Sequence, residues 1–498
     1  MCGVLGIMSP SGQSPSRKNQ AIDVYRGLLT LQHRGQDAAG ILSYDSLTKT
    51  FHSQKELGLV ANVFNTENLG PLKGNMAIGH TRYATAGGNQ RDNLQPLVTG
   101  YPFGIGMVHN GNLINYHSVR RKLKSEENLQ MLTTNDLEIF LHLWCKYMTG
   151  DKNKKDFSFH KAVRASEKIF NEVEGGFALL GLIADVGLIA LRDPHGIRPL
   201  VLGIKENTDN LGQKEYCVSS ETVTLHFLGF EYVRDIAPGE LIHINNDGEL
   251  LSHIIEFKEK KNPAPCMFEW VYFSGAESSI HKKSVYEARL NLGKLLANKA
   301  RKLIEKGDIQ SDVVCPVPDT SRTASISLAE NLGLPYREAL IKNRYVHRSF
   351  ILNTQEKREN AVELKLSPVI SEIKEKRILL VDDSIVRGTT SKKIISLLKK
   401  YGAKEITLAI TCPPLRYACY YGIDFPNPEE LIAKDKTLDQ IADWVGANQV
   451  IYLDESDLVD AIGEDNLCMA CINNKYPTSI KDAEEFMQMR QLDKETTL

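Results

Sequence analysis

One stretch decides the fold of the second half of this chain: Leu379-Leu380-Val381-Asp382-Asp383-Ser384-Ile385-Val386-Arg387-Gly388-Thr389-Thr390. An apolar run predicts a buried strand, two acids follow it, and a turn of Gly and Thr leads into a helical pattern. In open α/β sheets, ligands bind at the carboxyl ends of the strands. The N–H groups and hydroxyls of such a turn can cradle a phosphate, whereas Asp382 and Asp383 suit ribose hydroxyls or Mg²⁺. The plainer interpretation is an ordinary strand-to-helix turn with a capping acid.

The segments around that stretch show the same pattern of continuous apolar strands alternating with amphipathic helices. This pattern predicts a parallel sheet that is covered on both faces. We expect helices near 285–306 and 390–401, and strands at 312–318, 377–383 and 405–411.

The first half has a different pattern, in which short apolar strands are separated by Gly, Asn and Asp turns. It predicts a layered α+β unit with strands at 76–80, 105–109, 177–183 and 188–191 and helices near 20–31, 135–148 and 160–173.

The boundary between these two halves is a charged stretch at 257–265 that contains two prolines, as domain crossings often do. We therefore predict a first domain over 2–255, a second over 256–475, and a charged tail, forming a surface helix, over 476–498.

Bulk composition excludes several classes of protein. The chain has 498 residues with 42% hydrophobic and 24% charged content, which is ordinary for globular proteins. The formal net charge of −2 gives no sign of the basic surface that nucleic-acid-binding proteins have, and no apolar run is long enough to span a membrane. Nine cysteines scattered over this length do not form a secreted disulfide scaffold. We expect a cytoplasmic protein.

The N-terminus begins Met1-Cys2-Gly3. If Met1 is removed, Cys2 carries a thiol and a free α-amine on one residue. The thiolate is a strong nucleophile, and an α-amine with a reference pKa of roughly 8 is close to an ideal general base at neutral pH. A cysteine at position two can also arise by chance.

The stretch at 379–390 resembles the fingerprint of the phosphoribosyltransferase family. The resemblance implies that the acid pair holds the ribose of phosphoribosyl pyrophosphate (PRPP) and that the turn grips its 5-phosphate, through Ser384, Arg387, Gly388, Thr389 and Thr390. It also implies a Mg²⁺ site formed by Thr320, Asp382 and Asp383. A basic segment at 342–351 is expected to form a mobile lid, in which Lys342 and the lid-associated Lys365 approach PRPP.

Motifs in the first half resemble the glutamine amidotransferase domain of the N-terminal-nucleophile (Ntn) hydrolases, and they lie at 31–40, 79–85, 109–113 and 133–138. The resemblance implies an αββα sandwich and a set of roles. Cys2 would attack the carboxamide of glutamine, and Asn110 and Gly111 would stabilise the oxyanion. Arg82 would bind the α-carboxylate, Asp136 the α-ammonium, and Arg34 would support the site. Ala84 departs from the Pro that is common at that position.

A glutaminase domain followed by a phosphoribosyltransferase domain resembles the amidophosphoribosyltransferase family, with similarity reaching about residue 480. The fold expected is therefore an Ntn-hydrolase sandwich followed by a type I phosphoribosyltransferase parallel sheet. The implied reaction converts glutamine, water and PRPP into 5-phosphoribosylamine, glutamate and pyrophosphate, the committing step of purine synthesis. The resemblance also implies Mg²⁺, feedback inhibition by purine nucleotides and a homo-oligomer, either dimer or tetramer. Gly275 and Glu277 replace an Arg and an Asp that are common in relatives.

Four cysteines match, one by one, the ligands of the [4Fe-4S] cluster in one branch of this family: Cys266, Cys419, Cys468 and Cys471. Four thiolates suit an iron–sulfur cluster or zinc, and free thiols are the third alternative.

Two rival functions are weighed against this interpretation. A glucosamine-6-phosphate synthase shares the glutaminase half but would need sugar isomerase domains instead of the loop at 382–390. A PRPP- or nucleotide-sensing regulator could use the same fold, although the presence of Cys2, Arg82, Asn110 and Asp136 argues against it.

Overall fold

The computed structural model describes residues 1–10, 19–83, 90–149, 156–207, 212–257, 261–343, 365–425 and 427–496. In the first half, two antiparallel sheets stack face to face. The strands are β1 Gly3–Met8, β2 Ala38–Asp45, β3 Thr50–Leu57, β4 Met76–Arg82, β5 Leu97–Thr99, β6 Ile105–Leu113, β7 Gly175–Ile183, β8 Gly187–Arg192, β9 Val201–Glu206, β10 Lys214–Ser219, β11 Glu231–Asp235, β12 Glu240–Asn245 and β13 Leu250–Ile254.

The strand order is β11-β9-β10-β1-β4-β2-β3 in one sheet and β13-β12-β8-β7-β6-β5 in the other. β1 is a central strand between β4 and β10, and all six of its residues are buried. A strand with both faces covered needs apolar or small residues throughout, which Gly-Val-Leu-Gly-Ile-Met supplies.

Helices cover the outer face of each sheet. They are α1 Gln20–Thr30, α2 Val60–Val63, α3 Thr66–Leu69, α4 Tyr116–Glu127, α5 Leu137–Met148, α6 Phe159–Glu172 and α7 Thr222–Phe227. One apolar cluster lies between α1 and the first sheet, a second between the two sheets, and a third between the second sheet and α4–α6. Four layers result, and the predicted αββα sandwich is confirmed.

The second half is built around a parallel sheet. Its strands and the short strands beside it are β14 Ser279–Ile280, β15 Lys283–Ser284, β16 Val313–Pro316, β17 Leu340–Lys342, β18 Leu366–Pro368, β19 Arg377–Asp382, β20 Glu405–Ile410 and β21 Gln449–Tyr452. The parallel strand order is β16-β19-β20-β21. The carboxyl ends of β16 and β19 therefore lie side by side, which positions the loops that follow them.

Helices of the second half are α8 Val285–Lys306, α9 Arg322–Leu332, α10 Ile370–Ile373, α11 Thr389–Lys400, α12 Leu438–Val445, α13 Glu455–Ile462, α14 Ala470–Asn473 and α15 Ala483–Thr496. The predicted α8 and α11 are confirmed to within a residue. Among the described residues, no helix combines the length and apolar character needed to cross a membrane.

The charged tail differs from its expected form in its packing. A helix is present there, but Ala483, Phe486 and Arg490 on one side of α15 are buried. Arg121 of α4 pairs with Glu485, and Arg490 donates a 2.9 Å hydrogen bond to Asp424. The helix thus contacts both halves of the chain. Residues 483, 486 and 490 recur at helical spacing and therefore share the side of the helix that is buried.

Candidate active site

Cys2 lies directly before β1, at the end of the first sheet. Its half-buried Sγ accepts a hydrogen bond from the Tyr83 N–H at 3.4 Å and is 3.6 Å from the Tyr83 carbonyl oxygen. The neighbouring Gly3 N–H donates to the Thr81 hydroxyl at 3.2 Å, which fixes the backbone beside the thiol. Position 84, where Ala replaces the usual Pro, lies outside the described residues.

Met1 is buried in front of Cys2, and its sulfur contacts the guanidinium of Arg198. Burial lowers the pKa of the Met1 amine to about 4, so that this amine is uncharged.

The predicted oxyanion residues lie on β6, which packs against β1. Both polar atoms of the Asn110 amide are buried without a hydrogen-bond partner in the described part of the chain. Gly111 has a φ of +145°, and a Cβ there would lie 2.0 Å from the Gly176 carbonyl oxygen, so only glycine fits. A buried amide without a partner costs free energy unless a ligand satisfies it.

The two residues predicted to hold the α-groups of glutamine, Arg82 and Asp136, are also buried. Arg82, at the end of β4, donates to the Asn93 carbonyl at 2.7 Å and lies within electrostatic range of Cys2 and Asp136. Burial acts to raise the pKa of Asp136, but the His109 imidazole, the Leu113 N–H and Arg82 outweigh it and hold this pKa below its usual value. Asp136 is therefore a carboxylate ready to receive a cation.

Arg34 is fully buried and connects several elements. Its Nε donates to the carbonyl oxygen of Cys2 at 2.9 Å, and its two Nη atoms donate to Glu221 and Glu269. The sequence interpretation missed the roles of these two acids. Glu269 follows Cys266 by three residues in a segment singled out only for its cysteine.

The acid pair of the second half lies at the end of β19. Asp383 accepts hydrogen bonds from the hydroxyls of Thr320 at 2.6 Å and Ser384 at 2.8 Å. Burial and the neighbouring Asp383 raise the pKa of Asp382 well above its usual value, and burial also raises the pKa of Asp383. The loop after β16 and the end of β19 thus meet at the predicted metal position.

The turn after the acid pair leads into α11. Gly388 is its N-cap with a φ of +73°, and a Cβ there would lie 2.7 Å from the Trp444 ring. The exposed Thr389 and Thr390 begin the helix, where free N–H groups point outward. Arg387 instead forms an ion pair with Glu430 on the surface.

The two lysines assigned to PRPP lie at the base of the predicted lid. Lys342 ends β17 and donates to Asp319 at 2.7 Å, next to Thr320. Lys365 immediately precedes β18, and its carbonyl accepts a bond from the Asn343 N–H. The rest of the predicted lid, 344–351, lies outside the described residues.

The four matched cysteines are buried in the core of the second half. Cys266 and Cys468 form a parallel β-bridge, and Arg416 and Tyr417 donate backbone N–H groups to the Cys471 carbonyl. Burial raises the pKa of Cys266 to about 11, and the thiols of Cys266, Cys419, Cys468 and Cys471 interact electrostatically. In the ranges that the structure describes, no three His, Cys, Asp or Glu side chains lie close enough to hold a metal as they stand.

The second half also reaches the glutaminase site directly. The backbone at Gly422 lies against Gly111, since a Cβ on Gly422 would be 3.4 Å from the Gly111 Cα. Two nitrogens of the buried Arg490 lack hydrogen-bond partners among the described residues, and Arg490 interacts electrostatically with Asp136 and Tyr83. Gly275 and Glu277 stand where relatives commonly have an Arg and an Asp. Gly275 donates its N–H to Glu221 at 2.9 Å, and Glu277 is exposed.

Comparison with known proteins identifies one family domain in each half of the chain. Residues 80–226 match the model of the glutamine amidotransferase domain, and residues 284–456 match that of the phosphoribosyl transferase domain. The amidophosphoribosyltransferase of Escherichia coli is 42% identical over 94% of this chain and 89% of its own length.

Two solved structures are similar over almost their whole length. One is the allosteric regulatory enzyme of purine biosynthesis, with a TM-score of 0.82 and 36% identity, covering 96% of this chain and 97% of its own. The other is glutamine PRPP amidotransferase from Bacillus subtilis in complex with ADP and GMP, with a TM-score of 0.81 and 36% identity, covering 96% and 98%.

The paired domains define a glutamine-dependent phosphoribosyltransferase. More particularly, the chain belongs to the amidophosphoribosyltransferase family. The fold, the class of enzyme and the family predicted from the sequence are all confirmed.

Proposed function

We propose that Cys2 is the nucleophile of glutamine hydrolysis after Met1 has been removed. The observation that carries this proposal is that the buried Arg82 interacts with both the Cys2 thiol and the Asp136 carboxylate, while the unpartnered Asn110 amide lies on β6, which packs against β1. Removal of Met1 frees the α-amine of Cys2, which can then act as the base that the thiol needs.

Hydrolysis of glutamine needs only these residues and water. The amine of Cys2 takes the thiol proton, the sulfur bonds to the carboxamide carbon, and the Asn110 amide and Gly111 N–H receive the oxyanion. The C–N bond then breaks, ammonia leaves with the proton from the amine, and water hydrolyses the thioester to glutamate. Arg82 and Asp136 hold the α-carboxylate and α-ammonium of glutamine.

At the second site we propose that Asp382 and Asp383 bind the ribose hydroxyls of PRPP, and that the turn at 384–390 binds its 5-phosphate. When Mg²⁺ is bound near Thr320, Asp382 and Asp383, it neutralises charge on the pyrophosphate. Ammonia bonds to C1 as the bond from C1 to the pyrophosphate oxygen breaks. Lys342 and Lys365, on either side of the segment 344–364, would meet the departing anion.

We further propose that Cys266, Cys419, Cys468 and Cys471 hold a [4Fe-4S] cluster. The four thiols are buried and interact with one another electrostatically, which supports this set of ligands. The buried guanidinium of Arg198 would offset the charge of the thiolates. None of the nine cysteines, all of which lie in the described residues, forms a disulfide, as is typical of proteins in a reducing cytoplasm. Purine nucleotides would act as feedback inhibitors, since the related Bacillus subtilis protein was solved with ADP and GMP, and we expect a homo-oligomer.

Labelling tests the proposal at the nucleophile. Intact-mass analysis should show loss of Met1, and a diazo-ketone analogue of glutamine should add to Cys2 alone. A fully active protein that retains Met1, or labelling at another cysteine, would contradict the assignment.

A further inference from the structure

A single guanidinium joins the nucleophile to the second half of the chain. Arg34 Nε donates to the Cys2 carbonyl oxygen at 2.9 Å, and its Nη1 and Nη2 fork onto the two oxygens of Glu269 at 3.0 Å each. The side chains of Arg34 and Glu269 are 0% and 2% exposed. A bidentate bond between two buried groups holds both in one geometry, so Glu269 helps to fix the guanidinium that bonds to the Cys2 carbonyl.

Glu269 does not belong to the sandwich that carries Cys2. It lies in the short helical turn Glu269–Phe273, within the apolar core of the second half and before β14, β15 and α8. Its carboxylate also accepts a 2.9 Å bond from the Ser274 hydroxyl. Arg34 is therefore oriented by Glu269 of the other half of the molecule together with Glu221 of its own half.

The segment that carries Glu269 is in turn held by Arg289 of α8. Arg289 donates to the carbonyl oxygens of Trp270 at 2.9 Å and Ser274 at 2.7 Å. The same guanidinium lies within electrostatic range of Asp383 in the acid pair. Hydrogen bonds thus run from Arg289 through the 269–274 segment to Glu269, Arg34 and Cys2, and an electrostatic interaction links Arg289 to Asp383.

Stability alone is a weak explanation for this arrangement. Two guanidiniums, Arg34 and Arg198, and two carboxylates, Glu221 and Glu269, are all withdrawn from water. Such buried ion pairs seldom stabilise a fold more than apolar side chains of the same volume, because desolvation offsets their attraction. Their directional bonds instead define one geometry, and here that geometry ends on the catalytic residue.

We propose that Glu269 is a positioning residue: by holding Arg34 on the Cys2 carbonyl, it makes the alignment of the nucleophile depend on the state of the PRPP site. The inference rests on the proposed role of Cys2. Movement of Arg289 when the acid pair binds PRPP shifts the 269–274 segment, and the fork from Arg34 to Glu269 transmits that shift to the thiol.

The test uses the full-length enzyme carrying Glu269→Gln, which keeps the size of the side chain but presents an amide to Arg34. We expect the PRPP stimulation of glutamine hydrolysis and the kcat of the glutamine-dependent reaction to fall roughly 10- to 100-fold, as for small misplacements of a reacting group. The KM for glutamine and ammonia-dependent synthesis should stay within about twofold, because Glu269 touches neither substrate.

The matched control is Glu240→Gln. Glu240 is a buried acid of the first half that forks onto Arg234 at 2.6 and 2.7 Å without contacting Cys2. It should lower the melting temperature without changing the PRPP stimulation. If Glu269→Gln fails to fold, Glu269→Asp replaces it. The rate of Cys2 alkylation with and without PRPP then measures whether PRPP still changes the alignment of the thiol.

Unchanged PRPP stimulation in Glu269→Gln, or a parallel loss of the glutamine- and ammonia-dependent reactions, would overturn the proposal. Cys2→Ala distinguishes a failure of the proposed nucleophile from a failure of the proposed positioning role. If it keeps glutamine use, the proposed nucleophile is wrong; if it loses glutamine use while Glu269→Gln behaves as wild type, only the positioning role is wrong.

Discussion

Thr320 donates a 2.6 Å hydrogen bond to the carboxylate of Asp383, although the two residues are 63 positions apart in the chain. The bond joins the loop after β16 to the end of β19, its parallel neighbour in the sheet. It assembles the predicted metal position from two loops, as expected where the carboxyl ends of adjacent parallel strands meet.

The proposed separation of the two half-reactions into two sites leads to the first prediction. Cys2→Ala should abolish glutamine-dependent synthesis and leave synthesis from free ammonia within about twofold, because the acid pair and the phosphate turn are untouched. Steady-state assays with each nitrogen source measure this. Cys145→Ser, which changes a half-buried thiol outside the site, is the control, and equal loss with both nitrogen sources in Cys2→Ala would contradict the separation.

The phosphate turn supplies the second prediction. Gly388→Val should impair both the glutamine- and ammonia-dependent reactions, because the left-handed φ is strained for valine and its side chain would meet Trp444. Replacing Asp382 and Asp383 together by Asn should also impair both. We expect PRPP affinity, measured by calorimetry, to fall at least about tenfold, as for the loss of a charge-assisted bond of about 1.4 kcal/mol or more. Gly402→Ala, at a left-handed glycine with only ordinary contacts after the same helix, controls for strain alone, and normal PRPP affinity in the other variants would refute the assignment.

The raised pKa of Asp382 supplies the third prediction. The folded, metal-free protein keeps a proton on the acid pair above the usual titration range of an aspartate, and Mg²⁺ must displace that proton. Mg²⁺ affinity should therefore rise with pH until the pair is ionised and be constant above that point.

Stability should depend on pH in the opposite direction. A raised folded-state pKa stabilises the metal-free protein at low pH, and this contribution is lost as pH rises through that pKa. Asp382→Asn should consequently gain melting temperature relative to wild type as pH increases. A Mg²⁺ affinity independent of pH, or a constant difference in melting temperature, would show that the acid pair is already ionised.

Whether the role of a residue can be predicted from the sequence depends on whether its partners lie near it in the chain. Cys2, Asn110 and the stretch at 379–390 could be proposed as site residues because each lies in a recognisable local motif, and the strand before Asp383 could be predicted because it ends where the apolar pattern ends. Glu269 could not be identified, because its role comes from Arg34, 235 positions away. Neither could the burial of Arg490, since it depends on how α15 packs against Asp424.

The cysteine cluster supplies the fourth prediction. Cys419→Ser should lower the iron content and destabilise the fold, because the cluster would tie together segments at 266, 419 and 468–471. Protein purified without oxygen should be brown with about four irons per chain. Cys145→Ser should change neither property. A colourless, fully active protein without iron or zinc would leave the four residues as ordinary thiols.

The most direct test of the central claim is glutamate release by the purified protein, measured with and without PRPP and Mg²⁺. The account predicts that PRPP strongly stimulates glutamate release and that pyrophosphate forms in equal amount, since hydrolysis at Cys2 supplies ammonia to the second site. Glutamate release that is independent of PRPP, or no pyrophosphate with either glutamine or ammonia, would contradict it.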